Sequence, residues 1–533
     1  MKPSSVTAAL VASSGADLAD AAANTSAVAN LKSGVVVGAQ KTFPGAETAV
    51  NEFLGIPYAA PPVGAPALRP PFAACAMVDT AEHHERGLLI RECVRPCVAG
   101  PSPGRTVMVW IHGGGFKSGS ASMARHDGTS LAAHQDIVVV SLNYRLGPFG
   151  FPNSPAVSTG AQNVGFHDQR LALRWVRENI ARFGGDPAKV TLFGESSGAT
   201  SVSRLVGTMN DTGSRPFRAA IQQSGLYETA WAMDPPGDVL GPAAWPLLVK
   251  SLNCTSSKGN SSTPGSAEAE KELACVRTAP ASRIRALING PSASWSFYPV
   301  DDDITQLADP DRARAEGHIA KIPLLIGTNA NEGTMWTGSW TDLASYVAAF
   351  PMLAPHAAAL NSTYPLEGRG PNGELLADGW HVNAAIDTDV EFTCPASRVA
   401  QDTAFHLGLP VWRYWFNATF PNTALGDGLG VYHSSEIPIV FGSYPQANAT
   451  AEEARLSAAM QTAWADFAKD PYGADPGWRP VGAGDAGGYP VAAFDVGTDP
   501  SAKGWALMDN GTVDSACGVF EPIYRQRVGS PWW

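Results

Sequence analysis

Gly194-Glu195-Ser196-Ser197-Gly198 sets a serine between two glycines. The run before it, Lys189–Phe193 (KVTLF), reads as a short strand, and the small-residue stretch after it reads as a helix. In that frame the glycines permit a strained strand-to-helix turn that projects Ser196 as a nucleophile. The helix start just behind it favours a developing negative charge. A second pattern, His112-Gly113-Gly114-Gly115-Phe116, follows another apolar run, Thr106–Ile111 (TVMVWI). Three glycines let backbone amides approach a substrate oxygen unobstructed. Attack on a carbonyl needs such donors, because charge develops on its oxygen. The expected donors are the amides of Gly114, Gly115 and Ser197.

A serine nucleophile needs a base, and the base needs an orienting acid. With the order nucleophile, acid, histidine, the base lies among His318, His356, His381, His406 and His433. His406 falls in a helical pattern. His433 falls in a glycine-containing loop after the strand-like VWRYWFNATF, where loop residues can reach a site. For the acid, Glu332 follows the apolar run Ile322–Thr328 (IPLLIGT), whereas Asp301, Asp302 and Asp303 lack a strand frame. Pattern alone favours His433 and Glu332 and leaves the others open.

The elements that must position these groups are legible in outline. TVMVWI and IVVVSL (137–142) are short, continuous apolar runs rich in β-branched residues, as strands buried on both faces are, and KVTLF reads as a further strand. Ala172, Trp175, Val176, Ile180 and Phe183 recur at helical spacing, and Gly184-Gly185 ends that run. Strand and helix in alternation predict a large, mostly parallel α/β sheet flanked by helices. Residues 1–30 are Ala/Ser/Thr-rich and are expected to lie outside the core, with 31–533 as a single domain. At 533 residues and 44% hydrophobic, the chain can bury a large core.

Net charge is −12 and no basic tract occurs, which argues against nucleic acid or anionic membrane partners. No apolar run reaches 18 residues, so no membrane span is expected. Glu82-His83-His84-Glu85 reads as a solvated polar loop, and the spaced cysteines form no metal cage, so no metal or other cofactor is expected. Eight Asn-x-Ser/Thr sequons, at Asn24, Asn210, Asn253, Asn260, Asn361, Asn417, Asn448 and Asn510, together with seven cysteines, favour a secreted glycoprotein. The N-terminus adds little: Lys2 precedes only a weak patch, Val6 to Ala12, that reads as a poor or incomplete signal. Oligomeric state is not readable.

These residues also carry a resemblance. FLGIPYAAPPVG (53–64), VMVWIHGGGF (107–116), SLNYRLGPFGF (141–151) and the stretch 163–198 are similar to the type-B carboxylesterases, which include cholinesterases and fungal lipases of the α/β-hydrolase fold. IGTNANEG (326–333), DVEFTCP (389–395) and VYHSSEIPIVFG (431–442) continue the likeness. The resemblance implies Ser196 as nucleophile, Glu332 as acid, His433 as base, and Gly114, Gly115 and Ser197 as oxyanion donors. It assigns supporting contacts to Asp168, Glu195 and Ser224, and disulfides Cys75–Cys93, Cys254–Cys275 and Cys394–Cys517, with Cys75–Cys97 as an alternative to the first. It implies hydrolysis of a small-molecule ester through an acyl-enzyme, and the short, polar segment between Cys75 and Cys93 leads us to expect short-to-medium acyl or aryl esters. An interfacial lipase and a non-catalytic adhesion protein are the competing expectations.

Three departures stand out. Arg91-Glu92-Cys93-Val94-Arg95-Pro96-Cys97 replaces a family strand motif, so a strand there is expected to be shortened or lost. Ser197 stands where alanine is usual, with little expected effect because the amide does the work. Residues 76–92 hold no tryptophan, which removes the cation–π contact that cholinesterases use and argues against choline esters.

Overall fold

A computed structural model describes residues 27–62, 89–96, 104–210, 213, 215–226, 239–240, 243–255, 263–289, 295–473, 476–482, 488–495 and 504–528. Its centre is a twelve-stranded sheet. In chain order the strands are β1 (Ala27–Leu31), β2 (Gly34–Lys41), β3 (Val50–Pro57), β4 (Leu89–Pro96), β5 (Arg105–Ile111) and β6 (Val138–Leu142). They continue with β7 (Gly185–Glu195), β8 (Ala219–Gln223), β9 (Leu324–Asn329), β10 (Val411–Asn417), β11 (Pro490–Asp495) and β12 (Ala506–Asp509). The spatial order is β1-β2-β3-β4-β6-β5-β7-β8-β9-β10-β11-β12. From β6 through β11 every neighbour pairs in parallel. Antiparallel strands complete both edges.

Alternation along β5 shows why its sequence is apolar throughout. Val107, Val109 and Ile111 enter one core with residues of helices α1 (Val164–Asn179) and α2 (Ser197–Thr208). Met108 and Trp110 enter the opposite core with Met460 and Trp464 of a long helix, Ala451–Lys469. Successive strand side chains point to opposite faces, so a strand covered on both sides cannot alternate with polar residues. Trp110 is fully buried and meets Phe193 and Phe441 at 4.8 and 5.0 Å between ring centres. Removing such a ring costs about 3–5 kcal/mol. Helix α1 runs on as a 3-10 turn that ends at Gly184, whose φ of 81° suits glycine.

Two expectations are corrected. A strand is present through Pro96: β4 pairs with both β3 and β6, with a register shift between Ile90 and Glu92, against the expectation of a shortened or lost strand at 91–97. Main-chain pairing on both sides, with Cys93 and Val94 buried, outweighs the low strand propensity of its charged residues. The sheet also begins at Ala27, inside the segment expected to lie outside the core; Ala29 is buried and β1 pairs along its length with β2.

Disulfides join Cys254 to Cys275 and Cys394 to Cys517. The second lies beside a third apolar core of Tyr346, Leu360, Tyr364, Phe520 and Ile523. Cys75, Cys97, the loop 63–88 and its Glu82–Glu85 cluster lie outside the described residues. Among the described residues no helix is long and apolar enough to cross a membrane.

Candidate active site

Ser196 stands between the end of β7 and the start of α2 with φ 58° and ψ −131°, a strained backbone that persists only when its surroundings enforce it. They do so through glycine. A Cβ on Gly198 would lie 2.0 Å from the Ile111 carbonyl oxygen, and one on Gly113 would lie 2.8 Å from the Ser196 Cβ. The Ser196 amide donates to the Gln223 carbonyl at 2.9 Å, fixing the turn to β8. Gly114 and Gly115 have φ of 112° and 61° and line the same cleft as Ser196 and Ser197. The Ser197 hydroxyl adds a tie: it accepts from the Phe116 amide at 3.3 Å, linking the two motifs.

His433 arrives from the loop after β10, and Glu332 from the turn after β9. Two asparagines, Asn329 at the end of β9 and Asn331 just after it, hold these segments together. Asn329 donates its side-chain amide to the Tyr432 carbonyl at 3.0 Å, and Asn331 exchanges hydrogen bonds with Val431 at 2.9 and 3.0 Å. Glu332 is fully buried; its Oε1 accepts from the Asn329 amide at 2.7 Å, and its Oε2 lies 2.6 Å from His433 Nδ1. His406 is not part of this cluster; it is exposed beside Asp402.

Glu195 does more than a neighbour of the nucleophile need do. Its Oε1 lies 3.1 Å from His433 Nε2 and accepts from the Ser434 hydroxyl at 2.5 Å. Ser196 shares the cleft but makes no hydrogen bond to the imidazole in this resting arrangement. Catalytic hydrogen bonds often tighten only when substrate binds. Burial would lower the His433 pKa, but the Glu195 and Glu332 carboxylates prevail and push it up to about 9. Glu436, which the sequence reading did not single out, completes the buried acids; it accepts from Asn329 at 2.7 Å and Gln223 at 3.0 Å, and burial raises it to about 7. No spacing signal marks it beyond its place three residues after His433. Ser224 is fully buried at φ 51° in the cleft wall, its amide donating to the Gly327 carbonyl at 2.9 Å. Asp168 pairs with Arg145 at 2.6 Å, away from the reacting groups.

The cleft encloses about 510 Å³, within the usual range for small-molecule sites. Trp336, Trp340, Phe350 and Phe392 form one wall, and Arg125, Asp387 and Glu391 add charge. Such a site can bind an apolar group beside a polar reacting centre.

A sequence model described as the Carboxylesterase family matches residues 95–351 and 377–495. The chain belongs to the carboxylesterase family. It is thereby a carboxylic ester hydrolase on the α/β-hydrolase fold. Among its relatives, the para-nitrobenzyl esterase of Bacillus subtilis (strain 168) is 33% identical over 456 residues, 79% of this chain and 87% of that protein. The acetylcholinesterase of Bungarus fasciatus is 31% identical, over 80% of this chain and 76% of that protein. Secreted lipase 1 of Botryotinia fuckeliana (strain B05.10) is 31% identical, over 77% of this chain and 80% of that protein.

The two carboxylates at His433 give this carboxylesterase-family site an expected pH dependence. Free histidine titrates near 6.5, whereas a raised pKa keeps the ring protonated to higher pH. If the neutral ring is the base, kcat/KM rises as pH rises through that pKa, with its midpoint above 6.5 and toward 9. Glu195→Gln removes one carboxylate and moves the midpoint down by about one unit. A pH–rate profile between 5 and 10 checks both; an unmoved midpoint in the variant would show that Glu195 does not set it.

Proposed function

We propose that the chain is a serine hydrolase that cleaves soluble, short-to-medium acyl or aryl carboxylic esters through an acyl-enzyme. The observation carrying this reading is the meeting of Ser196 on its positive-φ turn, the Glu332–His433 pair and the Gly114–Gly115 loop in one cleft. His433 takes the Ser196 proton as Oγ attacks the ester carbonyl, and the amides of Gly114, Gly115 and Ser197 hold the resulting oxyanion. Collapse breaks the bond to the alcohol, which leaves with the proton from His433. Water, deprotonated by His433, then attacks the acyl-enzyme, and the acid is released. Only side chains, backbone amides and water enter these steps. We further propose that residues 31–533 work as one catalytic domain, together with β1.

Two features support an esterase rather than an interfacial lipase. Only 17 residues separate Cys75 from Cys93, and Asp79, Glu82, His83, His84, Glu85 and Arg86 make them too polar for an apolar flap. Another segment that could serve as a lid, 341–380, is packed by Tyr346, Leu353, Leu360 and Tyr364 into a core shared with Phe520 and Ile523. The likeness to a secreted lipase keeps the second reading in play, and it separates by experiment. For tributyrin, rate should follow concentration to the solubility limit and then level off. A sharp increase above saturation would sink the esterase reading. Choline esters are not expected substrates, since residues 76–92 carry no tryptophan.

An extracellular setting fits the two disulfides and the sequons. Asn210, Asn253, Asn361 and Asn448 are exposed, as glycan acceptors must be, while Asn417 and Asn510 are half-buried. The remaining class, a non-catalytic binding protein, would require that Ser196 fail to react with a fluorophosphonate.

A further inference from the structure

Asp387 takes no part in the proposed chemistry, yet its carboxylate reaches the same cleft. It lies in the last turn of helix α3 (Gly379–Thr388), directly beneath the turn that carries Glu332 and Trp336. That turn presses on the helix through glycine: a Cβ on Gly333 would lie 2.4 Å from the Ala384 carbonyl oxygen and 2.7 Å from the Asp387 Cβ. The Gly333 amide donates to the Thr388 hydroxyl at 3.0 Å, and the Thr337 hydroxyl donates back to the Gly333 carbonyl at 2.9 Å. Close packing and the Gly333–Thr388 hydrogen bond therefore tie the turn to the helix.

A buried carboxylate is costly unless its oxygens are hydrogen-bonded. Asp387 is 2% exposed, and both of its oxygens are used: Oδ1 accepts from the Tyr346 hydroxyl at 2.9 Å, and Oδ2 accepts from the Trp336 indole N–H. Trp336 itself is 43% exposed, so packing alone does not determine where its ring lies. Its directional bond to Asp387 does. The indole is held edge-on to the His433 ring at 4.9 Å and tilted against Phe392 at 5.7 Å, and Phe392 in turn lies 5.1 Å from His433.

We propose that Asp387 is a positioning residue that sets substrate size: by pinning Trp336 it fixes the free width of the cleft beside His433. The proposal rests on the esterase reading. With the pin in place, the ester group that lies along the Trp336–Phe392 wall meets a fixed limit. Without it the indole swings and the limit relaxes. Asn at 387 keeps an oxygen that can accept from the indole; Ala does not.

The test is kcat/KM for p-nitrophenyl acetate and p-nitrophenyl octanoate, with a small fluorophosphonate to titrate reactive Ser196. In Asp387→Ala the octanoate-to-acetate ratio rises about fivefold or more, the scale on which losing one ordinary hydrogen bond acts. Trp336→Phe, which keeps an apolar ring but lacks the N–H, gives the same rise and serves if the alanine variant does not fold. The double variant gives no more than either single one, because both remove the same contact. Asp387→Asn stays near the wild-type ratio. An unchanged ratio in both single variants, or additive effects in the double variant, would overturn the proposal. A wild-type chain that hydrolyses neither ester and takes up no probe would instead overturn the functional reading beneath it.

Discussion

Ser196→Ala lowers ester turnover by about 10⁴–10⁶-fold and ends covalent labelling by a fluorophosphonate. The size follows from nucleophile and base acting as a unit, so that removing either forfeits nearly all of their joint effect. The fold is expected to survive. Alanine meets the same φ of 58° that serine does, and the contacts enforcing that turn come from Gly198, Gly113 and Gln223, which the substitution leaves intact. The loss is therefore chemical, and a circular dichroism spectrum matching wild type accompanies it. Retention of more than a tenth of the wild-type rate in a clean preparation would mean that another residue carries the reaction.

His433→Ala is expected to cost nearly as much. The ring is almost fully buried, its Nδ1 is committed to Glu332, and its Nε2 lies beside Glu195, the residue before Ser196. Glu332→Gln costs less, by about one to two orders of magnitude, because the acid orients and stabilises the ring without touching substrate. His406→Ala stays near wild type, since that ring is exposed beside Asp402. Steady-state rates for the three variants decide the assignment; a mild His433→Ala with a damaging His406→Ala would reverse it.

How far the sequence reached depends on what each feature rests upon. Strands β5, β6 and β9 were legible because burial on both faces leaves a short apolar run, and β7 and β10 by their β-branched and aromatic residues. The serine turn and the glycine loop were legible because close backbone approach admits so few residue types. His433 and Glu332 needed more: strand frames narrowed the candidates, and the family resemblance chose among them. What escaped depends on contacts between distant segments. β4 is held by pairing partners on both sides, so departure from the family's strand motif at 91–97 did not cost the strand. β1 hides in an Ala-rich stretch because an edge strand needs only one ladder and little apolar surface. The meeting of Glu195 with His433 spans the chain from β7 to the loop after β10, and no local spacing foretells it. The contact between Asp387 and Trp336 is likewise visible only once the α3 helix lies under the Glu332 turn.

The strand at Ala27–Leu31 bears on how the chain tolerates trimming. Beginning it at residue 31, where composition alone sets the boundary, would strip away β1 and bare the outer ladder of β2. That strand already turns Val35 and Val37 outward, 60% and 63% exposed. A long, flat edge with outward valines is a template on which other chains can add strands. The shortened protein would keep its cleft, some distance across the sheet, and still be the poorer material, prone to stick to itself in concentrated solution.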